Sequence, residues 1–117
     1  MHPGTKVFKV IPGMEWHNPF FEGIPRKMIL PVVYVLDMVE TKFCKIGSTS
    51  NMRSRMGSFQ TTSPFEIKCV YFLCPPIGFS HVHLEKAAQN LLKEDRARGE
   101  WFAVEAHQAI TAIRSLI

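Results

Sequence analysis

The chain has 117 residues, 46% of them hydrophobic, with a formal net charge of +4 and a pI of about 9.2. That length predicts one domain with a real core and no need of staples, and no apolar run approaches the ~20 residues of a membrane span. The basic balance permits a polyanion such as nucleic acid as partner without selecting one.

Cys44, Cys69 and Cys74 show no framework spacing, and Met1 to Val10 lacks an apolar signal core. Both features lead us to expect a soluble protein of a reducing, cytoplasmic compartment.

In chain order, residues 1–29 read as an N-terminal extension and 30–117 as the main domain. Pro3, Pro12, Pro19 and Pro25, with Gly4, Gly13 and Gly23, resist regular structure in the extension. Lys6 to Ile11 suits a short strand, and Trp16, Phe20 and Phe21 suggest a strap packed on the core. Val32–Leu36 and Phe43–Gly47 read as strands of an antiparallel hairpin. With a turn centred near Val39 and Glu40, Tyr34 would lie opposite Lys45 on one face.

Ser50 reads as the N-cap of a helix from Asn51 to about Gln60, with Met52, Met56 and Phe59 as its apolar stripe. Arg55 flanks that stripe and Arg53 points further out. Ile67 to Leu73 is a third strand. Ser80 to about Arg96 is a second helix that buries Leu84, Ala87, Ala88, Leu91 and Leu92. Glu85 lies at the edge of this stripe, and His81 one turn before it. Gly99 ends the helical region, Glu100 to Val104 reads as a short extended piece, and Ala106 to Leu116 as a closing helix. The expected class is α/β (α+β), a small central three-stranded antiparallel sheet flanked by helices.

Four stations stand in this order: Val32-Val33-Tyr34, Lys45-Ile46-Gly47, Arg55 eight residues after that glycine, and Glu85 on the later helix. The set resembles the GIY-YIG nuclease superfamily. Arg98-Gly99-Glu100-Trp101-Phe102 resembles the RGEWF ending of a phage- and bacteria-rich branch named for a meiotically up-regulated gene. Arg55-Met56 with Phe59-Gln60-Thr61 is similar to a further segment of that branch. The resemblance spans roughly residues 30–105. It implies a metal-dependent endonuclease acting in line on nucleic acid, with DNA the expected substrate and Mg²⁺ or Mn²⁺ as cofactor. It also implies Tyr34, Lys45, Arg55 and Glu85 as catalytic residues, with Glu85 the metal ligand.

The chemistry of these side chains agrees. Phosphodiester hydrolysis needs an activated water, a Lewis acid and positive charge near the phosphate. A carboxylate such as Glu85 suits a hard cation that keeps several waters. Arg55 offers a planar fork for phosphate oxygens. Tyr34, with an ordinary pKa of about 10, needs a nearby cation to become a base. Lys42, Arg53 and Lys68 are further candidates for phosphate contact. His81 and Gln89 are auxiliary candidates; in the resemblance Gln89 stands where branch relatives often carry histidine, and Phe59, four residues after Arg55, where many members carry histidine or tyrosine.

Two rival readings follow from the same residues. One is a catalytically inactive GIY-YIG-like module that binds nucleic acid. The other is a zinc site from Cys69, Cys74, His81 and His83, whose spacings do not match common zinc ligands. Trp101 and Phe102 read as anchors of the last segment against the helices, and Glu100 as a cap or a partner of Arg98.

Overall fold

A computed structural model describes residues 11–18, 29–52, 54–55 and 64–117. The expectations for Lys6–Val10, Phe20, Phe21, Arg53, Met56 and Phe59 lie outside the described residues. Among the described residues, six strands form one sheet: β1 (Glu15–His17), β2 (Val32–Met38), β3 (Cys44–Thr49), β4 (Ile67–Leu73), β5 (Arg96–Arg98) and β6 (Trp101–Phe102). The helices α1 (His81–Leu91) and α2 (Ala106–Arg114) lie late in the chain. The strand order is β1-β4-β2-β3-β6-β5, antiparallel throughout.

The expected three strands are therefore the middle of a wider sheet. The additions are short. Glu15–His17 pairs with the outer edge of β4, and a two-residue turn folds β5 back on β6. Two- and three-residue strands carry too little periodicity to be read locally. Arg96 and Gly99 thus belong to a hairpin rather than to the end of a helix, because α1 stops at Leu91 and a 3₁₀ turn, Lys93–Asp95, follows. Gly99, at φ +59, takes the first central position of that turn, where two-residue hairpins favour glycine.

β2 is buried on both faces. Val32 to Leu36 are all at most 1% exposed, which explains their unbroken apolar run. One face (Val33, Val35, Cys44, Ile46, Tyr71, Leu73, Phe102) packs under α1 and α2 through Leu84, Ala88, Ala109 and Ile113. The other face (Val32, Tyr34, Leu36, Cys69, Phe72) packs with Leu30, Met52, Trp16 and Trp101. A bulge in β4 opposite Val35 and Leu36 lets Cys69 and Phe72 share a face although three residues apart.

Ser80 caps α1, its hydroxyl accepting from the His83 amide. The buried side of α1 is Leu84, Ala88 and Gln89, whereas Leu91 is 53% exposed. The expected stripe is thus rotated toward Glu85 and Gln89. A reciprocal Glu105–Gln108 capping box starts α2. At the earlier helical turn the cap is Asn51, not Ser50, since Asn51 Oδ1 accepts from the Ser54 amide at 3.2 Å.

Candidate active site

The β2–β3 register sets the site. Tyr34 lies opposite Gly47, and Lys45 opposite Leu36. The expected Tyr34–Lys45 pairing is corrected by two residues, because the turn closes around Glu40 and Thr41. Glu40 sits at φ +65, and Thr41 Oγ1 donates to the Met38 carbonyl. An even shift preserves side-chain faces, so Tyr34 and Lys45 still share one. Gly47 is required by the tyrosine ring: a Cβ there would lie 2.4 Å from Tyr34 Cζ and from its hydroxyl.

Burial pushes the Tyr34 hydroxyl up to about 12, against the hydrogen bond and charge of Arg55, while Glu100 and Glu85 push it further up. Arg55 does favour the phenolate, as expected of a nearby cation, but desolvation outweighs it. At 1% exposure the phenol is a neutral donor and acceptor. Arg55 is exposed and helical, its amide bonded to the Asn51 carbonyl at 3.1 Å.

Glu85 arrives from the helical face of the sheet, not from the Tyr34 face. β6 pairs with β3 only at Cys44 and Lys45, so beyond Lys45 the outer edge of β3 has no strand partner among the described residues. α1 lies along this open stretch. Gln89 Nε2 donates to the Ile46 carbonyl at 2.8 Å, and Ser48 Oγ donates to Glu85 Oε2 at 3.1 Å. The two contacts fit because four helical residues rise about 6 Å and two strand residues about 6.6 Å. Gln89 is thus a buried tie between helix and strand. His81, at the first position of α1, stands one turn further along.

Desolvation raises the Glu85 pKa, with Ser48 opposing it, Glu100 raising it further, and Lys45 and Lys86 lowering it. Glu100, read from sequence as a cap or a partner of Arg98, instead pairs with Lys45 at 3.0 Å. It is a second carboxylate near the site. The cue was its place beside Trp101, but only the pairing of Trp101 with Lys45 brings it there.

Lys42 is exposed in the β2–β3 turn, five residues from Gly47, which is roughly 16 Å along an extended strand. Lys68 is exposed on β4 opposite Asp37, on the helical face. Neither joins the Tyr34 group.

Ser48 bonds Glu85 and Glu100 acts on it electrostatically, and the repulsion between the two carboxylates favours a cation. Among the described residues no group of three or more His, Cys, Asp or Glu could hold a metal ion. A single carboxylate still fits Mg²⁺, which keeps waters and takes substrate phosphate as ligand. Cys69 lies in the core on the Tyr34 face, its thiol pushed up to about 12 by burial. Also among the described residues, no helix is long and apolar enough to cross a membrane.

Residues 32–117 match a family described as the T5orf172 domain. No curated protein and no solved structure matches the chain.

Proposed function

Because the chain belongs to the T5orf172 domain family, a phage-associated domain related to nuclease-type modules, we propose that it is a metal-dependent endonuclease acting on DNA. The observation that carries this reading is Glu85, held by Ser48 over the open edge of β3 and within electrostatic reach of Lys45, Glu100 and Tyr34. The finer reading, a GIY-YIG nuclease of the GEWF branch, rests on Lys45-Ile46-Gly47 and Gly99-Glu100-Trp101-Phe102.

In this reading Glu85 would hold Mg²⁺ or Mn²⁺, which supplies Lewis acidity at the scissile phosphate. Arg55 binds a nonbridging phosphate oxygen through its planar fork. Tyr34, hydrogen-bonded to Arg55, orients the attacking water. It accepts the water's proton only once added positive charge offsets the desolvation of its phenolate. Lys45, already paired with Glu100, exchanges that partner for phosphate when substrate enters. Gln89 positions Glu85 through Ile46, and His81 remains the auxiliary polar group at the helix start.

Incubation with plasmid, single-stranded and branched DNA, with Mg²⁺, with Mn²⁺ and with chelator, tests the proposal. Metal-dependent cleavage that disappears in Glu85→Ala is expected. A folded protein that binds DNA and cleaves none of these substrates would instead support an inactive nucleic-acid-binding module. The burial of Tyr34 is the observation that favours this second reading.

A further inference from the structure

Trp101 and Phe102 do not point the same way. Phe102 packs under the helices with Cys44 and Ile46. Trp101 packs on the opposite face, with the cluster that contains Tyr34, and is only half-buried. The expectation that both anchor the last segment against the helices therefore holds for Phe102 alone.

Trp101 lies directly opposite Lys45 on one side and Arg98 on the other. A register shift separates Arg96 from Arg98 in β5. Two residues apart on a regular strand, these arginines would share a face. The irregularity splits them: Arg96 stacks over the Phe102 ring at 5.3 Å, and Arg98 turns to the face of Trp101. Bulges that re-aim one side chain are a recurrent device beside active sites. Arg98 is exposed and has no ion pair among the described residues.

The row Lys45–Trp101–Arg98 thus crosses three strands, about 10 Å wide at ~4.8 Å per strand, with an aromatic ring between two cations. Before substrate enters, Glu100 holds Lys45, which leaves Arg98 as the cation of this row open to a first anion. Aromatic rings set among basic side chains bind single strands, the ring stacking a base and the cations taking the phosphates. A paired base in a duplex presents no free π-face.

We propose that Trp101 and Arg98 form a stacking subsite for an unpaired nucleotide beside the scissile phosphate, so that the substrate is single-stranded or locally unpaired nucleic acid. The inference rests on the nuclease reading for the word "scissile" alone; the subsite stands without cleavage.

The test uses the full chain carrying Glu85→Gln, in chelator, with three equal-length ligands: oligo-dT, a base-free strand and a blunt duplex. Oligo-dT is expected to bind about tenfold tighter than the base-free strand. Trp101→Leu should abolish that ratio and leave affinity for the base-free strand unchanged, while Trp101→Phe keeps most of the ratio. Arg98→Ala should weaken both strands equally and lower the salt slope by about one. In a Trp16→Phe chain, oligo-dT should quench Trp101 emission and the base-free strand should not. That last reading decides the matter if Trp101→Leu fails to fold. Equal binding of the two strands, or unchanged Trp101 emission at saturation, overturns the subsite. Quenching by a chain whose Glu85-containing form never cleaves overturns the nuclease and keeps the subsite; duplex cleavage without base dependence does the reverse.

Discussion

At the scale of single residues, Gly47 and Tyr34 form one unit, because the ring occupies the space of a Cβ at position 47. Gly47→Ala is expected to cost about 1–3 kcal/mol, the range for overpacking a tight core. The cost should shrink in a Tyr34→Leu background, as urea unfolding of the four chains would reveal. Glu85 supplies a second prediction. Its pKa is raised, so its carboxylate is lost on acidification at a pH above the usual 4.5. Glu100 adds to that rise and Lys45 opposes it. Glu100→Gln removes the repulsion and releases Lys45, and both changes lower the Glu85 pKa. The acid limb of Mg²⁺-dependent cleavage should therefore move to lower pH; a shift upward would count against the assignment of Glu85 as ligand.

Among the elements, α1 and β3 are joined by polar contacts where the sheet leaves a strand edge open. Gln89 gives the Ile46 carbonyl a donor in a buried setting. Removing one partner of such a bond costs about 1–3 kcal/mol. Gln89→Ala should lower stability by that amount in denaturant titration and also reduce cleavage, since Glu85 sits one turn away on the same side of α1. Loss of stability with kcat untouched would mean that Glu85 does not depend on this tie. The β5–β6 hairpin depends on Gly99 at φ +59, a conformation that costs a side-chain-bearing residue roughly 1–2 kcal/mol.

Across the whole molecule, β1 and α2 are clasped by residues 99 positions apart, where the Arg114 guanidinium donates through Nε and through its terminal nitrogen to both Glu15 oxygens. His17 stands beside the pair. The buried Tyr71 hydroxyl lies against it. The Arg114 bond holds the Glu15 pKa below its usual 4.5, against desolvation. A lowered carboxylate pKa stabilises the fold above the unfolded value and loses that contribution as pH falls through the folded value. The clasp is therefore present above about pH 4.5 and released in acid. Arg114→Ala should lower Tm at pH 7 and flatten the fall of Tm between pH 5 and 3; an unchanged acid slope would show that the clasp carries none of it. Because the contribution comes from an exposed pair, it should be small and weakened by salt.

Several features were legible without a fold. The apolar run Val32–Leu36, the β-branched and aromatic residues of Ile67–Leu73, and Ser80 before an amphipathic stretch each carry local signals, and β2, β4 and the start of α1 follow them. The ordered spacing of Tyr34, Lys45, Gly47, Arg55 and Glu85 was readable for the same reason, since it is a property of the chain itself. Tertiary structure alone decided the rest. Which residue faces Tyr34 depends on where the hairpin turn closes, and a left-handed Glu40 gives no strong cue. That Glu85 approaches over a bare strand edge depends on how few residues β6 pairs. That Glu100 meets Lys45, and that Arg98 turns to Trp101, depends on pairing between strands only two and three residues long. Such strands have too few residues to show a period, and their register is set by neighbours distant in sequence.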